Sequence, residues 1–317
     1  MLAAMTILCV TPNVAIDRTL SVSGFAAGGV WRAQVARAAA GGKGLNVARA
    51  LSGLGQPMCC AGLLGGAAGR QVAALADAEG LPARWTWIEG ETRTSVIVVG
   101  DGGETTVINE PGPILSEREW ERFVADVADA ASEAAAVCIS GSLPPGSPSG
   151  GLARLIAAAG AGGRPVWLDT SGAALAEAVA GAPSGIKINA EEAVVLLGRP
   201  VRDPAEALAA ARDIRRRRSD RVAITMGAEG AVLASGGGDW YASTRRIDAV
   251  NPVGSGDCFL AGLVAGLTDG RGEAEALRLA TACGAANAMT SRAGAIEPAD
   301  LARLLERTRV RAVGGQA

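Results

Sequence analysis

Four short β-rich runs recur after residue 115 with longer helix-forming stretches between them: "AAVCIS" (135–140), "PVWLDT" (165–170), "GIKIN" (185–189) and "RVAITM" (221–226). Each reads as a buried strand, and strands that alternate with helices are those of a parallel sheet covered by helices. The helix starts are legible. Ser116 followed by Glu119 is a capping box, and Asp203 then Pro204 places a cap and an N1 proline before "AEALAAARDI". The expected class is therefore α/β, with a mostly parallel central sheet flanked by helices.

Residues 91–109 behave differently, because "TRTSVIVVG" and "ETTVINE" flank "DGG", a strong hairpin signal. Residues 17–38 are short, mixed and poorly helical. They are expected to pair with the hairpin as a small antiparallel β lid over one edge of the main sheet, within a single domain spanning 1–317. "GAGG" (160–163) and "GGG" (236–238) read as surface turns.

A length of 317 residues with 49% hydrophobic content is ample for a packed core. Thirty basic against thirty-two acidic residues exclude a protein that binds polyanions through general positive charge, so no nucleic-acid partner is expected. The run Arg215 to Arg218 lacks nearby aromatics and reads as solvated cations at a helix C-terminus. Six scattered cysteines without a CxxC pair read as buried free thiols in a reducing compartment. No stretch approaches the roughly 20 apolar residues that span a bilayer, and "MLAAMTILCV" lacks the basic leader of a signal peptide. A cytoplasmic location with no membrane partner is expected. There is no histidine anywhere. That removes histidine-based triads, histidine metal centres and the commonest general base, leaving proton transfer to a carboxylate, a lysine, a thiol or Tyr241.

The segment "NPVGSGDCFLAGLVAGL" (251–267) is the sharpest candidate site. Gly254, Ser255 and Gly256 expose backbone N–H groups at the positive end of a helix that is apolar on nearly every side and hence buried. Such a turn holds an anion, and Asp257 beside it competes for the same field unless both act on a group lying between them. Gly262 and Gly266, four apart, allow another backbone to come close. Neither GxGxxG nor GxxxxGK[ST] is present, which disfavours a dehydrogenase or a P-loop enzyme. A second cluster, "AGGKGLNVARAL" (40–51), places Lys43 among Gly41, Gly42 and Gly44 ahead of an amphipathic helix, with Asn46 able to donate and accept hydrogen bonds to hydroxyls. Asp17, in "TPNVAIDRTL", is expected at the carboxyl edge of the first strand, where open α/β sheets bind ligands.

In order, "TPNVAIDRT", "AGGKGLNVARAL", "ISGSLPPG" (139–146) and "NPVGSGDCFLAGL" resemble the signatures of the ribokinase-like sugar kinases of the phosphofructokinase B type, closest to the 1-phosphofructokinase and tagatose-6-phosphate kinase branch. The likeness spans nearly the whole chain. It implies phosphoryl transfer from ATP with Mg2+ to a hydroxyl of a phosphorylated ketohexose, most readily fructose 1-phosphate. Tagatose 6-phosphate and fructose 6-phosphate are the alternatives; a nucleoside kinase and a non-catalytic sugar-phosphate sensor are the rivals, since fold alone does not establish activity.

By that resemblance Asp257 is the base and the N–H groups of Gly254, Ser255 and Gly256 are the anion hole. The helix dipole should keep Asp257 ionised, as a positioned acceptor more than a strong base. Asp17, Gly41, Gly42 and Asn46 would hold sugar hydroxyls, with Lys43, Arg93 and Ser142 near the existing phosphate; a guanidinium suits that task. Lys187 and Asn189 would lie near the ATP phosphates, with Glu192 placing magnesium through water. Thr225, Gly227 and Gly230 would line the nucleotide loop, and Asn287 would approach the adenine. "NAEE" departs from the proline-containing form of its motif, which bears on the local loop path.

Overall fold

The computed structural model describes residues 6–102, 104–217 and 219–313. Gly103 of the hairpin turn, Arg218 of the arginine run and the leader residues 1–5 lie outside them. The chain opens with β1 (Ile7–Thr11), then β2 (Ala15–Ser21), β3 (Val35–Gly41) and helix α1 (Lys43–Gly53). β4 (Met58–Gly65), α2 (Gly66–Ala78) and β5 (Ala83–Ile88) follow, then β6 (Arg93–Val99) and β7 (Thr105–Asn109). Next come α3 (Glu117–Ser132), β8 (Ala136–Ser140), α4 (Gly151–Ala159), β9 (Val166–Asp169), α5 (Ala173–Ala180) and β10 (Gly185–Asn189). α6 (Ala190–Leu197), α7 (Pro204–Arg215), β11 (Arg221–Thr225), β12 (Ala231–Ser235) and β13 (Asp239–Ser243) continue the chain. It finishes with α8 (Ser255–Thr268), α9 (Glu273–Ala288), α10 (Pro298–Arg307) and β14 (Arg309–Ala312).

The four strands read from the sequence are β8 to β11, and both helix starts are present. Ser116 and Glu119 close a capping box on α3, and the Asp203 side chain accepts from the N–H groups of Ala205 and Glu206 at the start of α7. Ten strands form the main sheet in the order β14-β13-β12-β11-β10-β9-β8-β1-β4-β5. All pairings from β5 across to β11 are parallel, and β12, β13 and β14 add an antiparallel edge. From β1 the chain builds outward through β4 and β5 on one side and through β8 to β11 on the other. That reversal leaves a crevice at the carboxyl ends of the central strands, where open α/β sheets take their ligands.

The second sheet, in the order β3-β2-β6-β7, joins the two segments expected to pair. Its outer pairings are antiparallel and its central β2–β6 pair is parallel, while β3 runs on to Gly41 and delivers the chain straight into α1. Asp17 belongs here. It was expected at the edge of the first strand, but β1 ends at Thr11, and by Ala15 the chain has crossed to the small sheet, where Asp17 stands opposite Ala39 and Ser95.

The cysteines are free thiols; five are buried and Cys59 is partly so. The residues from Asp257 to Gly266 in α8 are all buried, as expected of a helix apolar on every side. Its two glycines serve the close approach that their spacing implied. A Cβ on Gly262 would stand 2.8 Å from Cys283 Sγ and 3.0 Å from the Ala280 Cα, and one on Gly266 would stand 3.0 Å from the Ala276 Cα, so α9 lies directly on α8. Gly262→Val should therefore lower stability by about 2 kcal/mol or more in urea unfolding, as overpacked cores do. Gly236→Ala, whose new methyl meets open space, should stay within about 0.5 kcal/mol of the parent.

Candidate active site

Side chains along a strand alternate between the two faces of the sheet. Cys9, Cys138 and Trp167 belong to the core shared with α1, α8 and α9, whereas Val10, Ile139 and Leu168 belong to the opposite core. The last residues of those strands, Thr11, Ser140 and Asp169, therefore fall on the α8 face at the carboxyl end. In β10, Ile186 and Ile188 face away from α8, which turns Lys187 toward it. Four polar side chains so meet at one end of the sheet, and Asp169 and Lys187 are 1% and 5% exposed. Thr11 Oγ1 and Ser140 Oγ are buried there without a hydrogen-bond partner among the described residues.

Asp169 organises the cluster. Its carboxylate accepts from Lys43 Nζ at 2.8 Å and from Lys187 Nζ at 2.7 Å. Burial alone would raise the Asp169 pKa, yet the two ammonium groups hold it below the ordinary carboxylate range. Burial in turn opposes the charge on Lys43, but Asp169, Asp257 and Glu192 outweigh it and leave this lysine more basic than usual. Lys187 Nζ also presses on the first turn of α8: a Cβ at Gly256 would stand 2.5 Å from it. No other residue type fits at that position without moving the lysine.

Gly254 caps α8 with φ 87°, a left-handed conformation that glycine adopts without strain. Gly254, Ser255 and Gly256 are partly exposed, so the N-terminus of α8 opens toward the crevice, but the Ser255 N–H expected in the anion hole already donates to the Pro252 carbonyl at 3.1 Å across the turn. Asp257 follows at 5% exposure, its Oδ2 accepting from Asn46 Nδ2 at 2.8 Å. Burial lifts its pKa to about 6, and the charge of Asp169 adds to the rise, against Lys43, Lys187 and the Asn46 hydrogen bond. Burial thus exceeds the helix-dipole effect on which the sequence expectation rested. Asp257 is still mostly ionised at pH 7, and it is a stronger base than expected.

Several sequence-derived residues already hold protein partners. Asn46, assigned to sugar hydroxyls, commits its amide hydrogen to Asp257 and its Oδ1 to Arg49 Nη1 at 2.9 Å. Asn287, expected at the adenine, is fully buried; its Nδ2 donates to Thr290 Oγ1 and to the carbonyls of Arg292 and Ala295, tying down the turn after α9. Arg93 donates to the Asn13 carbonyl through Nε and Nη2 and to the Glu110 carbonyl through Nη1, which fastens the small sheet to the β1–β2 turn. Ser142 accepts from Asn13 Nδ2 at 3.2 Å, so Arg93 and Ser142 meet around Asn13. Asp17 lies against the glycine loop: a Cβ at Gly41 would overlap its carboxyl group. Burial raises the Asp17 pKa against Arg49 and Arg93.

On the other side of Lys43, Asn189 and Glu192 form a reciprocal capping box on α6, with Glu192 Oε1 4.0 Å from Lys43 Nζ. The NxxE spacing is therefore also a helix start. Thr225 ends β11 and donates to the Ile188 carbonyl at 3.4 Å, and Gly227 and Gly230 bound the tight turn that follows. The sequence reading missed Asp169 and Asn13. An acidic residue ending the buried run "PVWLDT" was the available signal for the first, and "TPN" for the second.

A model of the pfkB family of carbohydrate kinases matches residues 5–300. The 1-phosphofructokinase of Xanthomonas campestris pv. campestris is 37% identical over 281 residues, which cover 87% of this chain and 88% of that protein. The 1-phosphofructokinase of Rhodobacter capsulatus is 36% identical over 280 residues, covering 88% and 89%. Among solved structures, phosphofructokinase-2 from Escherichia coli in complex with fructose-6-phosphate superposes with a TM-score of 0.88 at 26% identity, over 95% of this chain and 98% of that one.

The lifted Asp257 carboxyl has a measurable cost. A group that binds its proton more tightly when folded destabilises the native state as pH rises from the unfolded pKa near 4 to about 6, with no further change above. A displacement of about two pH units at about 1.4 kcal/mol each sets the scale at about 3 kcal/mol. Asp257→Asn should therefore unfold at higher urea concentration than the parent at pH 8, with the gain shrinking to nothing near pH 4. Equal midpoints at pH 8 would contradict the lifted value.

Proposed function

The chain belongs to the pfkB family of carbohydrate kinases, and on that premise we propose that it transfers the γ-phosphoryl group of ATP to the 6-hydroxyl of fructose 1-phosphate, giving fructose 1,6-bisphosphate and ADP. It is an ATP-dependent fructose-phosphate kinase, and its 36–37% identity to 1-phosphofructokinases favours the 1-phosphate over the 6-phosphate as acceptor. The observation that carries the reading is the buried Asp257 carboxylate at the first turn of α8, facing the Asp169 carboxylate that Lys43 and Lys187 share.

In this reading Asp257 accepts the proton of the attacking hydroxyl as its oxygen bonds to the γ-phosphorus and the bond to the β-phosphate oxygen breaks, the electron pair leaving on ADP. The N–H groups of Gly254 and Gly256 donate to the oxygens of the group in flight, the Ser255 N–H being already given to the Pro252 carbonyl; Lys187 offsets its charge, and Lys43 lies toward the 1-phosphate. Asp17 at the glycine loop addresses sugar hydroxyls, while the spare N–H groups of Arg93 and the exposed Ser142 address the 1-phosphate. Asn189, Thr225, Gly227 and Gly230 border the nucleotide. Asn46 acts through Asp257.

Among the described residues no group of three or more acidic, cysteine or histidine side chains could hold a metal ion. Glu192, at the start of α6 with Oε1 4.0 Å from Lys43 Nζ, would reach magnesium through water, the phosphate oxygens and water supplying its other ligands. When bound, the ion would neutralise charge on the phosphates. The small sheet would act as a lid on the sugar side of a single kinase domain. It exposes Trp31, Val35, Val107 and Ile108, an apolar set suited to packing against a second copy. No helix among the described residues is long and apolar enough to cross a membrane. We place the enzyme in the cytoplasm, with its phosphorylated substrates.

A panel of fructose 1-phosphate, fructose 6-phosphate and tagatose 6-phosphate with ATP should give the highest kcat/KM for the first. Asp257→Asn should lower kcat by about 100-fold or more, and in the parent kcat should fall about tenfold per pH unit below about 6. Lys43→Ala should raise KM for the sugar phosphate by about tenfold; a nucleoside kinase would be indifferent to it. Equal turnover by Asp257→Asn would remove the proposed base, and no turnover of any sugar phosphate by the parent would favour the sensor. Sedimentation at micromolar concentration should find a dimer that Ile108→Glu dissociates; a monomeric parent would refute the lid contact.

A further inference from the structure

The Asp257 hydrogen bond is the first link of a chain that ends far from the reacting groups. Asn46 Nδ2 donates to Asp257, and Asn46 Oδ1 accepts from Arg49 Nη1. The Arg49 side chain, 8% exposed, forks onto Glu79, with Nε to Oε2 at 2.5 Å and Nη2 to Oε1 at 3.2 Å. Nη2 also donates to the carbonyl of Ala40, where β3 enters the glycine loop. Glu79 is gripped a second time by Arg292 of the turn after α9, at 2.6 Å. Asn46 and Arg49 stand one helical turn apart on α1, the spacing at which side chains meet.

An amide carries a donor at one end and an acceptor at the other, and a guanidinium only donates. Asn46 must therefore show its oxygen to Arg49, which leaves its NH2 for Asp257. The flipped amide would set an oxygen against the carboxylate and two N–H groups against the guanidinium, losing both hydrogen bonds in a buried site. We propose that Arg49, clamped by Glu79, is the positioning residue that fixes the Asn46 amide and so aims the Asp257 carboxylate at the acceptor hydroxyl. As a role in the reaction, it rests on the kinase reading above. Arg49 also offsets the charge of Asp17 and holds the Ala40 carbonyl, so its role at Asn46 is read from the Asp257 titration and not from sugar affinity.

The test replaces both buried charges together, because removing one would strand the other. In Arg49→Met/Glu79→Met, kcat should fall about tenfold or more while KM for ATP stays within about threefold. The Asp257 carboxyl, followed by 13C NMR titration and assigned with Asp257→Asn, should titrate at higher pH by about half a unit or more once the amide no longer donates steadily. The titratable groups facing it, Lys43 of α1, Asp169 of β9, Lys187 of β10 and the neighbouring Cys258 thiol, are unchanged in the variant. Should that variant not fold by circular dichroism, Arg49→Lys keeps the charge but cannot serve Glu79, Ala40 and Asn46 in one plane, and the same two shifts are expected of it. An upward titration shift with a kcat loss upholds the role of Arg49; an unmoved titration in a folded variant overturns it, whatever happens to turnover. The titration is read without substrate, so a parent inactive on every sugar phosphate would overturn the kinase reading alone.

Discussion

One carboxylate, that of Asp169, holds two lysines from different parts of the chain, and the rest of the site is arranged around it. Lys187 is almost wholly buried, and an ammonium ion there without a partner would cost several kcal/mol. Asp169 supplies the partner and takes the first side chain of α1 as well, so α1, β9 and β10 converge on a single point. Because Lys187 in turn lies against Gly256, the start of α8 is set by the same contact. The cluster carries both signs of charge in a small volume. It keeps Lys43 protonated, and the negative charge of Asp169 helps to lift Asp257. Binding groups and base are tuned by one another.

The sheet explains why these groups meet where they do. Parallel strands all end at the same side, and side-chain alternation sends Thr11, Ser140, Asp169 and Lys187 to the same face. Helices α1 and α8 cover that face and both begin at this end, so two helix N-termini point into one crevice. The glycines of both signatures allow this crowding. They serve in part to bring backbone against Thr11, Asp17 and Lys187, in addition to presenting N–H groups to an anion.

How much of this was legible depended on the range of the interaction. Caps are local, which is why Ser116 with Glu119 and Asp203 with Pro204 marked α3 and α7 correctly. The hairpin and its partner segment were legible through turn chemistry and β-forming composition. Asp17 was misplaced because nothing near it in sequence says where β1 stops and the small sheet begins. Asn46 and Asn287 look like ligand-binding amides in isolation, and only the fold shows the protein partners they hold, Asp257 and Arg49 for the first and the turn at 290–295 for the second. Asp169 went unnoticed because a single aspartate ending a strand has no signature until two lysines from elsewhere reach it.

The amino-acid sequence determined the class of fold, the buried helix behind Asp257, the room for another backbone at Gly262 and Gly266, and, through the absence of histidine, that a carboxylate, a lysine, a thiol or a tyrosine must move the proton. These follow from periodicity, steric size and functional-group chemistry, which each residue carries wherever it goes. The tertiary structure decided which lysines share Asp169, which way the Asn46 amide points, and how far the Asp257 carboxyl rises. Those properties come from distances between groups and from exclusion of water, and neither exists until strands distant in sequence lie side by side.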